Sequence, residues 1–477
     1  VTSRIPTGIP ELDAVLRGGL LARRLHLLEG RPGSGKTTIG MRFLIAGVAQ
    51  QKTCLYVTLS ETEEELQGTA ESHGWTLTGI ELFAPDLVSP HEYGEQTIML
   101  PSDAELSRLI DTIATRVETS KAELVVIDSM AEIRLLAHDS SHYRRQIIAL
   151  RDRLARAGAT VLLLDDLTSI NHEYELQSAV HAAITLEQRE QPYGAVRRVL
   201  KIVKLRGGDY QSGTHDFAIE KSEILVFPSL IAEEHRRDYS PAALTSGVAG
   251  LDDIMGGGIM DGTSTMIIGP TGVGKTTMAL QYALSAVHHG GKAAYFVLDE
   301  AELTLRSRMI DRFAFDGANG DHNGLLISRI NPSRISAGAF VWKVRRRVED
   351  DKVRVVIIDS INSYLTLIRE ERTLQLQMNE LFCYLANMGV IAIIVGAHSA
   401  PLDTTREPDA LSIITDNIIS LSYVEDGSVI KQAVSVLKKR HGPHSRDIRS
   451  FRLVEEGFTV GARLTRSADV AGQTDGQ

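Results

Sequence analysis

Cysteine is nearly absent: Cys54 and Cys383 are the only two in 477 residues. That is too few for a disulfide framework and too sparse for a Cys-rich zinc module, so a reducing, cytoplasmic setting is expected. No apolar run approaches the roughly 20 residues of a bilayer-spanning helix. Residues 1–12 lack the basic start and apolar core of a secretory signal. The longest apolar stretch, residues 390–395, has the length of a buried parallel strand. Positive charge is not in surplus either. With 51 Lys and Arg against 61 Asp and Glu, the net charge is −10, and no segment mixes basic with aromatic residues as a nucleic-acid platform does. Neither a membrane nor a nucleic acid is an expected partner. What remains, 43% hydrophobic and 23% charged, is the composition of a protein that folds in water. The chain is too long for one core, and two domains are expected.

One pattern occurs twice. Thr7-Gly-Ile-Pro-Glu-Leu-Asp13, followed by Gly18 and Gly19, returns as Ser246-Gly-Val-Ala-Gly-Leu-Asp252, followed by Gly257 and Gly258. A glycine-rich run ending in Lys-Thr follows each opening, and Asp13 to Asp252 and Lys36 to Lys275 are both steps of 239 positions. Such self-similarity marks a duplicated domain. Residues 1–230 and 245–462 are the expected copies. Residues 231–244, charged and interrupted by Pro241, read as a linker, and the polar residues 463–477 as a flexible tail. Strands alternate with helical runs in each copy, and the strands are continuously apolar. This predicts an α/β fold with a mostly parallel central sheet covered by helices on both faces. Residues 182–204 and 417–438 are expected to close each sheet in antiparallel C-terminal strands.

The glycine-rich runs, Gly30-Arg-Pro-Gly-Ser-Gly-Lys-Thr37 and Gly269-Pro-Thr-Gly-Val-Gly-Lys-Thr276, both satisfy G-x-x-x-x-G-K-[ST]. Glycines let backbone N–H groups turn inward around phosphates, and the following helix offers its positive end. The lysine reaches the β and γ phosphates, and the threonine oxygen ligates Mg²⁺. The expected ATP contacts are Gly33, Ser34, Gly35, Lys36, Thr37 and Thr38, with Gly272, Val273, Gly274, Lys275, Thr276 and Thr277. One match would be a weak signal, because glycine turns also serve structure alone. Two in register, each after an apolar strand and before a helical run, are specific.

Asp128 and Asp359 each close an apolar run, which sets a carboxylate at the C-terminal edge of a buried strand beside the P-loop. A strand-ending aspartate is often only a turn former; beside a P-loop it is expected to orient Mg²⁺ through water, together with Thr37 and Thr276. Glu61 and Glu300 end the next strands and are placed to position an attacking water. Asp299 adds a carboxylate where copy one has Ser60. The alternative for Ser60 and Asp299 is N-capping of the following helix. Late in each copy come Lys204 with Arg206, and Lys438 with Arg440, spaced by one residue so that each pair shares a strand face. In a ring such a face would reach a neighbour's γ-phosphate; otherwise it is a solvated face. His398 ends a strand in copy two where copy one is acidic, at Asp165 and Asp166.

With these residues assembled, the chain resembles the KaiC family, double-domain RecA-like ATPases whose founding members drive the cyanobacterial circadian clock. The resemblance runs from residue 7 to about residue 453 and includes the Leu-Asp openings, both P-loops, the Glu-bearing second strands and the Lys-x-Arg tails. It implies two tandem RecA-like P-loop NTPase domains in a homo-hexamer, with ATP and Mg²⁺ between adjacent subunits and signalling or clock proteins as partners. It further implies that Glu61 and the Asp299/Glu300 pair are catalytic carboxylates and that Lys204, Arg206, Lys438 and Arg440 act in trans. The family's second domain also works as a serine/threonine autokinase on an adjacent Ser and Thr upstream of a Thr-Asp pair. Here Ser412 stands at the first position and Ile413 at the second. Isoleucine has no hydroxyl, so the resemblance implies phosphorylation at Ser412 alone, in a relative that has diverged from the clock proteins. Two other functions share this fold. A RecA- or DnaB-like DNA-dependent ATPase would reveal itself by salt-dependent single-strand binding. An ATP-gated scaffold with slow hydrolysis would keep its partner when Glu61 and Glu300 are mutated.

Overall fold

The computed structural model describes residues 3–85, 101–137, 139–167, 173–190, 194–313, 324–366, 371–397, 410–426, 429–454 and 457–464. His398 and the tail beyond residue 464 lie outside them. The chain divides into two compact units, Val1–Ser229 and Leu230–Gln477, and each builds one nine-stranded sheet.

In the first unit the sheet strands are β1 (Leu25–Gly30), β2 (Cys54–Thr58), β3 (Ile80–Phe83), β4 (Leu124–Asp128), β5 (Thr160–Asp166), β6 (Ala182–Arg189), β7 (Arg197–Leu205), β8 (Thr214–Ile219) and β9 (Ile224–Phe227). Their spatial order is β3-β2-β4-β5-β1-β6-β7-β8-β9. The second unit repeats that order with β10 (Ser264–Gly269), β11 (Ala293–Val297), β12 (Leu325–Arg329), β13 (Val355–Asp359), β14 (Ile391–Ala397), β15 (Asn417–Asp426), β16 (Val429–Lys439), β17 (Arg449–Val454) and β18 (Gly457–Arg463). The fold is the expected pair of RecA-like α/β domains.

Every residue of β1, β2, β4, β10, β11 and β13 is buried, and alternate side chains serve opposite faces. Tyr56, Val126 and Leu164 join one core, whereas Val57, Ile127 and Leu163 join another on the far side. The second sheet is likewise packed on both faces. Two-sided burial is why these strands read as unbroken apolar runs. The 390–395 stretch is such a strand, paired in parallel with β10 and β13.

The C-terminal strands differ from the expectation in one detail. β6 and β15 run parallel to the P-loop strands β1 and β10, and the antiparallel series starts only at β7 and β16. A short helix precedes each of these strands, Glu173–Ala179 before β6 and Ala410–Ile414 before β15. It returns the chain to the edge where the parallel strands begin, so the reversal waits for the next hairpin.

The 231–244 stretch is held on the second unit. Ala232 is buried in a core there; its N–H donates to Glu380 Oε2 at 3.0 Å, and its carbonyl accepts from Asn387 Nδ2 at 2.9 Å. Arg237 donates to Met388 O at 2.6 Å, and Tyr239 to Ala386 O at 3.1 Å. These carbonyls belong to the C-terminal end of the helix Glu371–Asn387 and the residue after it, which need donors from elsewhere. No helix among the described residues is long and apolar enough to cross a membrane.

Candidate phosphate-binding and catalytic sites

Each P-loop follows the strand at the switch point of its sheet, β1 between β5 and β6 and β10 between β14 and β15, where α/β sheets open a crevice at their C-terminal edge. Gly33 and Gly35 take φ of 78° and 103°, and Gly272 and Gly274 take 81° and 110°. L side chains avoid this region, and in it successive amides face one concavity. The 14-residue helices Lys36–Ala49 and Lys275–His288 begin there with no side-chain cap, so their first-turn amides are available to an anion. Ser34 is buried with no partner for its hydroxyl among the described residues. Val273, its counterpart, faces the apolar core and adds only backbone to the loop. Thr38 and Thr277 are buried.

Lys36 Nζ donates to Gly30 O at 3.0 Å and Arg31 O at 3.1 Å, and Lys275 Nζ to Gly269 O and Pro270 O at 2.8 Å each. Thr37 Oγ1 donates to Asp128 Oδ2 at 2.8 Å. Two residues unassigned from sequence complete this arrangement: Tyr56 donates to Asp128 Oδ2 and Tyr295 to Asp359 Oδ2, both at 2.6 Å. Their signal was available, because the tyrosines are 239 positions apart, the offset of the P-loop lysines. Asp128 and Asp359 are 5% and 8% exposed. Burial raises the Asp128 carboxyl above its ordinary value, against the lowering effect of the Tyr56 and Thr37 hydrogen bonds and of Lys36. Burial likewise lowers the Lys275 ammonium, against the Asp359 charge. The donors gathered here, hydroxyl and carboxylate oxygens, suit Mg²⁺, which needs one or two protein oxygens and keeps its waters. Among the described residues no group of three or more His, Cys, Asp or Glu could hold a metal.

Glu61 separates from the capping alternative. The helix Glu63–Ser72 is capped by Thr62 in a reciprocal box with Glu65, not by Ser60. Glu61 N–H donates to Thr58 Oγ1 at 3.1 Å, and that hydroxyl donates back to Glu61 O at 2.5 Å. The backbone is thereby fixed, and carboxylate Oε2 is left buried without a partner among the described residues. Burial, then the Asp128 charge, then Glu65, raise the Glu61 carboxyl. In the second unit Asp299 accepts from Ser360 Oγ, and the helix that follows starts at Glu302. Glu300 is partly buried beside it.

The basic pairs stand away from their own P-loops. Lys204 in β7 is level with Ala183 of β6, which pairs with Leu27 near the start of β1. Gly30 is three residues further up that strand, about 10 Å away. Lys204 Nζ donates to Gln177 O. Arg206, just past β7, is exposed, and its main chain bonds to His181 O at 2.8 Å. Burial and then the Arg206 charge lower the Lys204 ammonium. Lys438 Nζ donates to Ser412 O at 3.0 Å, Ile413 O at 3.1 Å and Thr415 O at 2.6 Å, and Arg440 to Ile413 O at 3.0 Å. Ser412, on the helix Ala410–Ile414, thus shares the edge of Lys438 and Arg440. Asp416, four residues on, binds Ser264 at the first position of β10, whereas the P-loop opens at the last position of that strand, roughly 16 Å away.

Comparison with known proteins finds the same family on both copies. A family model described as "ATPase: KaiC" matches twice, over residues 5–231 and 244–465. The chain is similar to the circadian clock oscillator protein KaiC of Rippkaea orientalis, 28% identical over 96% of this chain and 88% of the relative. It is also similar to the circadian clock protein KaiC3 of Synechocystis, 26% identical over 96% of this chain and 92% of the relative.

Proposed function

The chain belongs to the KaiC ATPase family, and from that premise we propose that both P-loops bind ATP with Mg²⁺ and that the first unit hydrolyses it with Glu61 as the water-positioning carboxylate. The observation carrying this reading is the buried Glu61 Oε2, which has no partner among the described residues and feels the charge of an Asp128 already bonded to Thr37. A carboxylate is costly to bury unsatisfied, and a raised pKa suits a base that must accept a proton near neutrality. Mg²⁺, when bound, offsets the charge that develops between the β and γ phosphates. Thr37 and Asp128 would hold it in the first unit, and Thr276 and Asp359 in the second. Lys36 and Lys275 turn from the loop carbonyls to the phosphates. Tyr56 and Tyr295 keep the aspartates oriented. Asp299 and Glu300 take the Glu61 role in the second unit.

Because Lys204, Arg206, Lys438 and Arg440 stand at the opposite sheet edge from their own P-loops, they serve a neighbour's site. This requires a ring, read as a homo-hexamer. Ser412 shares that edge, so the proposed serine autokinase activity of the second unit takes its phosphoryl group from an adjacent subunit's pocket, and Ile413 limits it to one acceptor. The relatives' names, which describe circadian clock proteins, support a clock-type or signalling role; a cytoplasmic setting and protein partners are part of the same proposal. The test sizes the protein with and without Mg-ATP and then analyses bound nucleotide and phosphopeptides in the same sample. Assembly with bound ATP and a single phosphate on Ser412 is expected. Nucleotide uptake unaltered in the double variant Lys36→Ala, Lys275→Ala removes the reading, and an unmodified Ser412 removes its kinase part.

A further inference from the structure

Lys36 has a contact that its counterpart cannot make. Besides the two loop carbonyls, its ammonium lies 2.5 Å from Asp166 Oδ1. Asp166 is the last residue of β5 and pairs with Gly30 of the P-loop strand; the same position in the second unit, opposite Gly269, is Ala397. Among the described residues the ion pair therefore belongs to the first pocket alone.

An ammonium has three protons to donate. In the first P-loop the acceptors Gly30 O, Arg31 O and Asp166 Oδ1 engage all three, so a phosphate oxygen gains Lys36 only by displacing one of them. Lys36 is 7% exposed and Asp166 27%, and solvent screens so enclosed a pair poorly. Once the lysine has turned to the phosphates, the Asp166 carboxylate is left facing the same crevice, close enough for its charge to act on Asp128. Two opposing contributions result. One is the loss of a charge-assisted contact, and the other is repulsion between Asp166 and the phosphates. The second shrinks when magnesium already covers the phosphate charge.

We propose that Asp166 is a specificity-determining residue of the first pocket: it competes with phosphate for Lys36, lowers nucleotide affinity there, and discriminates against nucleotide that arrives without magnesium. This rests on the nucleotide reading of the P-loop given above.

The test uses the full chain carrying Lys275→Ala, so that only the first pocket reports, with calorimetric titrations of Mg-ATP and of ATP in EDTA. Asp166→Asn in that background is expected to tighten Mg-ATP roughly tenfold and metal-free ATP by a larger factor, so that the preference for the magnesium complex falls. Asp166→Ala is expected to act in the same direction. The melting temperature of the nucleotide-free protein should meanwhile fall or stay level, since an ion pair has been lost. A merely structural Asp166 would lower melting temperature and affinity together, and a metal-binding Asp166 would weaken Mg-ATP selectively. Either result, or unchanged affinity in both variants, overturns the proposal. Adding Lys36→Ala separates the two levels: uptake that survives in the double lysine variant overturns the nucleotide reading itself, whatever Asp166 does.

Discussion

Glu61 and Ser60 show how far one side chain can be read in advance. A carboxylate at the end of a second strand was recognisable as a water-positioning group, but so was the possibility that this corner only caps a helix. The decision came from Thr62, which takes the cap and leaves Glu61 Oε2 buried without a described partner. Glu61→Gln is expected to cut first-unit turnover by about 100- to 1,000-fold with ATP affinity retained, measured by single-turnover hydrolysis in a Lys275→Ala background. pH offers a second check. The Glu61 carboxyl is raised from an ordinary 4.5, so it keeps its proton to higher pH and the base is lost earlier as the solution is acidified. First-unit turnover should therefore begin to fall from a pH above that of an exposed glutamate. An acid limb centred at or below 4.5 would remove Glu61 from the role. Thr37→Ala takes away a hydroxyl bonded to Asp128 and is expected to raise the magnesium concentration needed for half-maximal turnover, with little change in melting temperature.

Helix starts and chain connections obey more local rules. Thr62 and Glu65 form their box three residues apart, so Thr62→Ala should lower the first unit's melting temperature by about 2–4 °C while ATP affinity is kept; a loss of affinity would tie this cap to the site. The P-loops, the strands after them and the aspartates that end β4 and β13 were legible because each is a contiguous pattern with a fixed period. The antiparallel tails were legible less sharply, since the register at which β6 and β15 enter the sheet is set by a crossover that composition does not encode. The 231–244 stretch looked like a plain linker because charge and Pro241 dominate it. Its docking depends on Ala232 meeting the side chains of Glu380 and Asn387, and on Arg237 and Tyr239 meeting helix-end carbonyls, all between 147 and 155 positions away in the chain. Arg237→Ala should accordingly lower the melting temperature of the second unit and leave the first unchanged, as differential scanning calorimetry can resolve.

Assembly is where geometry within one chain points beyond it. If Lys204 and Arg206 serve a neighbour, Glu61→Gln subunits and Arg206→Ala subunits, each inactive in the first unit, should regain activity when unfolded together and reassembled. A mixed ring contains interfaces that pair an intact Glu61 with an intact Arg206, roughly a quarter of them at equal mixing. No recovery in ATPase assays would return the basic pairs to the status of a solvated face. The duplication itself, the α/β architecture and the two phosphate loops were determined by the sequence alone, because glycine conformations, two-sided burial and a 239-residue repeat are all written along the chain. Tertiary structure alone decided that Glu61 Oε2 has no partner among the described residues, which tyrosines bond to Asp128 and Asp359, and that Asp166 holds Lys36 where Ala397 offers Lys275 no carboxylate. Those outcomes depend on side chains brought together across parallel strands, and neighbours in a sheet are chosen by topology and register, not by proximity in the chain.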